Sequence, residues 1–268
     1  MKKNKTFFKR MSMILLIIAI SFISIIDIYI HEEIHTSASV SNKKIEWGIK
    51  RNDNHEQPDV GSENRKVLEE NNGITLGNSE SRAIYLTFDE GYEAGYTSQI
   101  LKTLKENDVK ATFFLTAHYV NTQEELVRQM IDEGHIIGNH TVNHKSMPSL
   151  TEEEIKKEVM DLHQSVDEKF GYEMKYIRPP KGEFSEKTVQ VTNSLGYKTV
   201  MWSFAYEDWN EQKQPNEEKA KEKILNNLHN GEIMLLHGNS KTNTNILDSI
   251  IKEAKNMGYE FKSLDEFE

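Results

Sequence analysis

Five short apolar runs of this chain each lead into side chains that titrate, ligate metals or hold anions. Asp89 and Glu90 follow 83–88, His140 and His144 follow 135–138, Arg178 closes 175–178, Glu207 and Asp208 lie beyond 197–203, and His237 follows 232–236. The chemistry open to such a set is hydrolysis. His140 and His144, four residues apart, share one face of a helical turn or a tight loop and suit a divalent cation with nitrogen ligands. With an acid as a further ligand, such a cation polarises a carbonyl and lowers the pKa of a bound water. Asp89 would take that water's proton as general base, and Arg178 would hold Asp89 ionised and oriented through charge-assisted hydrogen bonds. An amide nitrogen leaves only when protonated, which assigns His237 as general acid. Asp208 would pair with His237 and raise its pKa into the useful range.

Each piece has an ordinary alternative. Adjacent acids are usually solvated, two histidines are often just surface residues, and an arginine before two prolines suits a plain ion pair. A lone histidine ending an apolar run is often a satisfied core residue, and His118 takes that reading. Position favours chemistry for the others. In parallel barrels the working residues sit at the C-terminal ends of strands, and solvated surface charge would not sort itself to one end of every strand.

The elements that must position these residues are legible as alternation. Strands are expected at 83–88, 111–116, 135–138, 175–178, 197–203, 232–236 and 259–261, and helices at 97–106, 122–133, 151–170, 185–194, 215–229 and 244–256. Thr151 with Glu154 forms a capping box, and Ser185 precedes another helical run. Alternating strands and helices imply an α/β protein with a parallel sheet, here a (β/α) barrel with seven strands. Phe88-Asp89-Glu90-Gly91 stands where a dinucleotide-binding fold would carry its glycine-rich turn.

Composition narrows the partners. Of 268 residues 37% are hydrophobic and 28% charged, and the net charge is −10. The first twelve residues hold five cations and no acid, so the remainder is more acidic still, which argues against a nucleic-acid partner. With no cysteine, disulfides, thiolate-zinc sites and thiol nucleophiles are excluded. The basic head and the apolar run from Met13 to Ile26 read as a signal peptide or membrane anchor over 1–30, so the chain is expected to be exported. Residues 31–45 read as a linker, and 46–268 as one domain whose first part, 46–81, is irregular.

The polar set resembles the five ordered motifs of the NodB-type polysaccharide deacetylases. Thr87-Phe88-Asp89-Glu90-Gly91, His140-Thr141-Val142-Asn143-His144, Arg178-Pro179-Pro180-Lys181-Gly182, Glu207-Asp208-Trp209 and Leu235-Leu236-His237 stand in that order. The resemblance implies a distorted (β/α)7 barrel, Asp89 as base, His140 and His144 as ligands of a divalent metal with zinc first among them, and His237 as acid. It also implies that the Lys181 backbone N–H helps to hold the oxyanion. The family's first motif usually has a second aspartate as metal ligand; here Glu90 stands there, either as a third ligand reaching the metal directly or through water, or leaving a weaker site to the two histidines.

Trp47-Gly48-Ile49-Lys50-Arg51, Pro58-Asp59-Val60-Gly61, Gly91-Tyr92-Glu93-Ala94-Gly95 and the run from Arg178 to Ser185 resemble a narrower group, the δ-lactam-biosynthetic de-N-acetylases of endospore formers. That resemblance implies removal of acetyl from N-acetylmuramic acid in peptide-stripped peptidoglycan, on the cell-wall or forespore side of the membrane, by a monomer. Tyr92, Trp202 and the stretch 47–61 are the candidates for substrate contact. The alternatives are a general peptidoglycan or chitin-oligomer deacetylase and a non-catalytic glycan-binding barrel.

Overall fold

The structure, a computed structural model, describes residues 40–52 and 54–267, of which Asn42 onward form one compact unit. The export segment and most of the linker read from the sequence lie outside the described residues. Seven strands appear where alternation places them: β2 Ala83–Glu90, β3 Thr112–Leu115, β4 Ile136–Asn139, β5 Tyr176–Ile177, β7 Lys198–Thr199, β8 Glu232–His237 and β9 Glu260–Phe261. They form one parallel sheet in the order β7-β5-β4-β3-β2-β8, with β9 paired to the start of β2. A parallel bridge between Phe204 and Met234 joins the chain beyond β7 back to β8, so six strands curl into a ring and β9 sits outside it. This is the distorted barrel that the motif order implies.

The helices pack outside the ring: α2 Thr97–Glu106, α3 Ala117–Thr122, α4 Glu124–Asp132, α5 Glu152–Phe170, α6 Glu186–Ser194, α7 Glu217–Asn227 and α8 Lys241–Asn256. The Thr151–Glu154 capping box opens α5, and Ser185 caps α6 with Thr188 as its partner. Sequence periodicity misses α1 Ser62–Glu69 and the two-residue strands β1 Ile45–Glu46 and β6 Glu183–Phe184, which pair antiparallel. These elements are too short to show a period, and long-range pairing holds them.

Strand parity divides the core. In β2 the residues Ile84, Leu86 and Phe88 face the helices, in a cluster with Ile100, Val127, Val159 and Leu247. Ala83 and Tyr85 face the ring interior with Phe114, Ile136, Tyr176, Val200 and Ile233. Successive side chains of a strand point to opposite faces. The inward set of β2 therefore continues through Thr87 to Asp89, and the outward set ends on Glu90. In β8 the same count turns Ile233, Leu235 and His237 inward. The interior is tight: a Cβ at Gly138 would lie 2.4 Å from the Phe114 ring.

Candidate active site

Asp89 and His237 are direct partners in the β2–β8 register, so two inward side chains of neighbouring strands stand side by side at the C-terminal end of the ring. Arg178, fully buried just after β5, reaches across the ring. Its Nη1 donates to Asp89 Oδ1 at 2.8 Å and to Thr87 Oγ1 at 2.9 Å, and its Nε donates to the Val200 carbonyl at 3.2 Å. The guanidinium lies 4.2 Å over the Phe114 ring, which suits its planar, weakly hydrated charge. Burial alone would raise the Asp89 pKa. The charges of Arg178 and His237 and the Arg178 hydrogen bond outweigh it and hold the carboxyl below its ordinary range.

His140 and His144 lie in a tight loop after β4, not on a helix. Two of its residues, Thr141 (φ 67°) and His144 (φ 53°), adopt left-handed backbone, which costs a residue with a Cβ about 1–2 kcal/mol. Those two turns bring the Nε2 atoms of His140 and His144 to 3.1 Å from each other, and Asp89 Oδ2 lies 3.6 Å from His140 Nε2. His140 Nδ1 faces the Arg178 carbonyl at 2.8 Å and must carry the proton there, which leaves its Nε2 as a lone pair turned into the cleft.

This donor set fits a divalent cation held by two imidazoles. Nitrogens on one tetrahedral zinc at about 2.0–2.1 Å stand roughly 3.3 Å apart, close to the observed spacing. Both imidazoles are kept neutral, as ligands must be. Burial pulls His140 down, and burial with the nearby His140 pulls His144 down to about 4. Among the described residues no group of three His, Asp or Glu side chains is arranged to hold a metal.

His237 is set from behind. Asp208 Oδ1 lies 2.7 Å from its Nδ1 and Asp208 Oδ2 accepts its backbone N–H at 2.9 Å. Asp208 is itself held by Asn243 Nδ2 at 2.5 Å, and the Tyr206 hydroxyl donates to Asn243 Oδ1. Burial would lower the His237 pKa, but the charge and hydrogen bond of Asp208, with the charge of Asp89, raise it. Asp208 occupies Nδ1, so Nε2 is the nitrogen left for a substrate. The arrangement is an ionised carboxylate beside a protonatable imidazole, each fixed by a buried partner.

These groups open onto a cleft of about 850 Å³ lined also by Tyr92, His118, Lys181, Trp202, Trp209 and Asn239. Tyr92 and Trp202, the candidates for substrate contact, thus both line the cleft. Lys181 lines the cleft with left-handed backbone (φ 60°), and Gly182 beside it must be glycine: its φ is +66° and a Cβ would lie 2.7 Å from the Trp202 ring.

Glu90 corrects the sequence reading. It does not line the cleft. β2 stays in register through Glu90, paired with Leu115, so parity turns the side chain to the helix side. There it packs against Gly238, where a Cβ would lie 1.7 Å from Glu90 Oε1. That oxygen has no hydrogen-bond partner, and burial with the charges of Glu93 and Asp89 raises the Glu90 pKa well above its ordinary value. Among the described residues of the stretch 47–61 none lines the cleft either. The stretch backs the cleft wall: Trp47 Nε1 donates to the Trp202 carbonyl at 2.8 Å, Trp47 N donates to the Gly182 carbonyl at 2.9 Å, and Arg51 Nη2 donates to the Ala205 carbonyl at 2.5 Å. Sequence reading missed Asn239, whose Nδ2 joins Tyr92 to the Trp209 carbonyl, and the Asn243–Tyr206 pair behind Asp208. An asparagine two residues after His237 was the available signal. His118, read as a core residue, lines the cleft.

Residues 76–200 match the family model described as polysaccharide deacetylase. Over 229 residues the chain is 42% identical to the peptidoglycan-N-acetylmuramic acid deacetylase PdaA of Bacillus subtilis, covering 85% of this chain and 87% of that one. The chain belongs to the polysaccharide deacetylase family. It is also 34% identical to a peptidoglycan-N-acetylglucosamine deacetylase of Bacillus cereus, over 75% of this chain and 96% of that relative. The solved structure of Bacillus subtilis PdaA, a family 4 carbohydrate esterase, superposes with a TM-score of 0.83 at 41% identity, covering 85% of this chain and 98% of that one. The protein is thus a deacetylase-family hydrolase, and the arrangement described above stands at the mouth of its barrel.

Proposed function

We propose that the protein removes acetyl groups from N-acetylmuramic acid of peptide-stripped peptidoglycan, with a divalent cation, as a step toward muramic δ-lactam. The observation that carries the reading is the register pairing of Asp89 with His237, each locked by its own buried partner, beside the imidazole pair. Water attacks the acetyl carbonyl and forms the new C–O bond. Asp89 takes the water's proton, and the Lys181 backbone N–H faces the developing oxyanion. His237 Nε2 gives a proton to the nitrogen as the C–N bond breaks, releasing acetic acid and a free amine. Solvent then carries the proton from Asp89 back to His237. A cation bound by His140 and His144 would polarise the carbonyl and acidify the water.

Support for a muramic sugar comes from two sources. Identity is higher to the relative named for N-acetylmuramic acid than to the one named for N-acetylglucosamine. Lys181 is also the one Lys or Arg among the described residues lining the cleft, and peptide-stripped muramic acid carries a free lactyl carboxylate. Once the amine is free, its attack on that carboxyl is intramolecular and favoured by high effective molarity. We further propose that residues 1–30 export the chain to the cell-wall face.

The test is digestion, side by side, of intact glycan, peptide-stripped glycan and an N-acetylglucosamine oligomer, with and without chelator. The reading expects acetate release chiefly from the stripped glycan, a product lighter by one acetyl and one water, and loss of activity with chelator. Equal release from all three, with no dehydrated product, leaves a general deacetylase. No release from any of them leaves a glycan-binding barrel.

A further inference from the structure

Inside the His140–His144 loop one bond, from His144 N to Thr141 Oγ1 at 3.1 Å, supports the turn, and the rest of its support comes from outside. The loop carries two left-handed residues, neither of them glycine, and the imidazoles meet only because it does. Two side chains from outside the motif grip the loop, Asn139 at its start and Glu158 at its centre. Glu158, buried on the inner face of α5, accepts from the Asn143 backbone N–H with Oε2 at 2.7 Å and from Asn143 Nδ2 with Oε1 at 2.7 Å. Its backbone carbonyl accepts from Val142 N at 3.0 Å, and Lys145 Nζ stands 3.3 Å from Oε1. Three consecutive groups between the two histidines, and the residue just beyond them, are thus tied to one residue of one helix. The next residue of α5, Val159, offers its carbonyl to Asn139 Nδ2 at 2.9 Å, and Asn139 Oδ1 accepts from Thr141 N at 2.9 Å.

We propose that Glu158 is the positioning residue of the cation site: its carboxylate, by gripping Asn143, holds His144 in the left-handed turn that aims its Nε2 at His140. This rests on the reading that His140 and His144 bind a divalent cation. Glu158 touches neither imidazole and acts through the loop. The carboxylate fits because one planar group with two acceptor oxygens satisfies two donors of one residue at once. Groups that orient metal ligands typically cost about 10–100-fold in affinity when removed.

The full-length chain, stripped by chelator, is titrated with Zn²⁺ or Co²⁺ alone and followed by calorimetry and the cobalt absorption bands. Wild type takes up one equivalent, and His144→Ala loses that uptake. Glu158→Ala weakens binding by about 10–100-fold and changes the cobalt bands, because ligand geometry relaxes. Glu158→Gln restores most of the affinity, since a glutamine and a turned-over Asn143 amide remake both bonds; a residue that merely stabilised the fold through its charge would not be rescued in this way. Asn143→Ala, at an exposed position, weakens binding by a smaller factor, and adding it to Glu158→Ala causes no further loss. Wild-type affinity in Glu158→Ala overturns the proposal. If that variant does not fold, wild-type affinity in Asn143→Ala overturns it. Equal uptake by wild type and His144→Ala overturns the two-imidazole reading itself, a result distinct from either.

Discussion

Asp89 and Glu90 are neighbours on one strand, both are buried, and their surroundings push them to opposite states. Asp89 faces the ring interior, where Arg178 supplies positive charge and a hydrogen bond and His237 further positive charge. Glu90 faces the helix layer, where it meets Gly238 and the charges of Glu93 and Asp89, and one oxygen lacks a partner. The first is favoured as a carboxylate and the second is pushed toward the neutral acid. Pairs of titratable groups driven apart by environment are how one fold runs acid and base chemistry together. Here the second member of the pair lies outside the cleft, and the mechanism proposed above takes its acid from His237 on the neighbouring strand.

The sharpest way to break this contrast is to remove the inward charge. Asp89→Asn keeps the shape and loses the proton acceptor, so acetate release should fall by about 10³-fold, within the range of general-base contributions, while the fold survives. Near-normal turnover in a steady-state assay would show that another group is the base.

Removing the partner instead pushes Asp89 toward the state of Glu90. Arg178→Met leaves a buried carboxylate uncompensated, which typically costs about 3–5 kcal/mol of stability, and activity should go with it. Denaturant unfolding measures the loss; a change of less than about 1 kcal/mol, the scale of an exposed pair, would mean that solvent already screens the site.

A third variant acts on the acid side. His237 is held protonated to higher pH than usual because Asp208 faces it, and the proposed mechanism uses that proton. As pH rises through the His237 pKa, kcat/KM should fall. Asp208→Asn removes the charge but keeps a hydrogen-bonding group, so the fall should begin at lower pH. The loss at the wild-type optimum should be smaller than the 10²–10⁴-fold that removing a general acid outright costs, roughly. An unmoved basic limb in the pH–rate profile would remove Asp208 from this role.

The smallest effect belongs to Glu90. Its raised pKa makes the folded state hold a proton that the unfolded chain gives up. That contribution to stability is full below the ordinary carboxyl value of 4.5 and is lost as pH rises through the folded value. Asp89 has the reverse sign: its contribution is present above the ordinary value of 3.8 and is lost as pH falls through the lowered one. Glu90→Gln should therefore leave metal uptake and turnover near wild type and reduce the decline of stability at rising pH. Unfolding curves across neutral pH check it; a sharp loss of metal would return Glu90 to the site.

What the chain's sequence determined by itself was the local and periodic part. Apolar runs of strand length alternating with amphipathic stretches set the seven strands, the Thr151 and Ser185 caps marked two helix starts, and the order of Asp89, His140, His144, Arg178, Asp208 and His237 at strand ends set the barrel mouth. Those signals live within a few residues of one another. Tertiary structure alone decided three things. It extended β2 one residue past Asp89, which by parity sent Glu90 outward; a sequence does not say at which residue a strand stops pairing. It bent 140–144 through two left-handed residues, a conformation that Thr141 and His144 do not favour and that Glu158 on α5 helps to hold. And it set Trp47 and Arg51 behind Trp202, Gly182 and Ala205 rather than in the cleft, through hydrogen bonds between residues more than a hundred positions apart. Each depends on which surfaces meet after folding, and no local pattern of side-chain types carries that information.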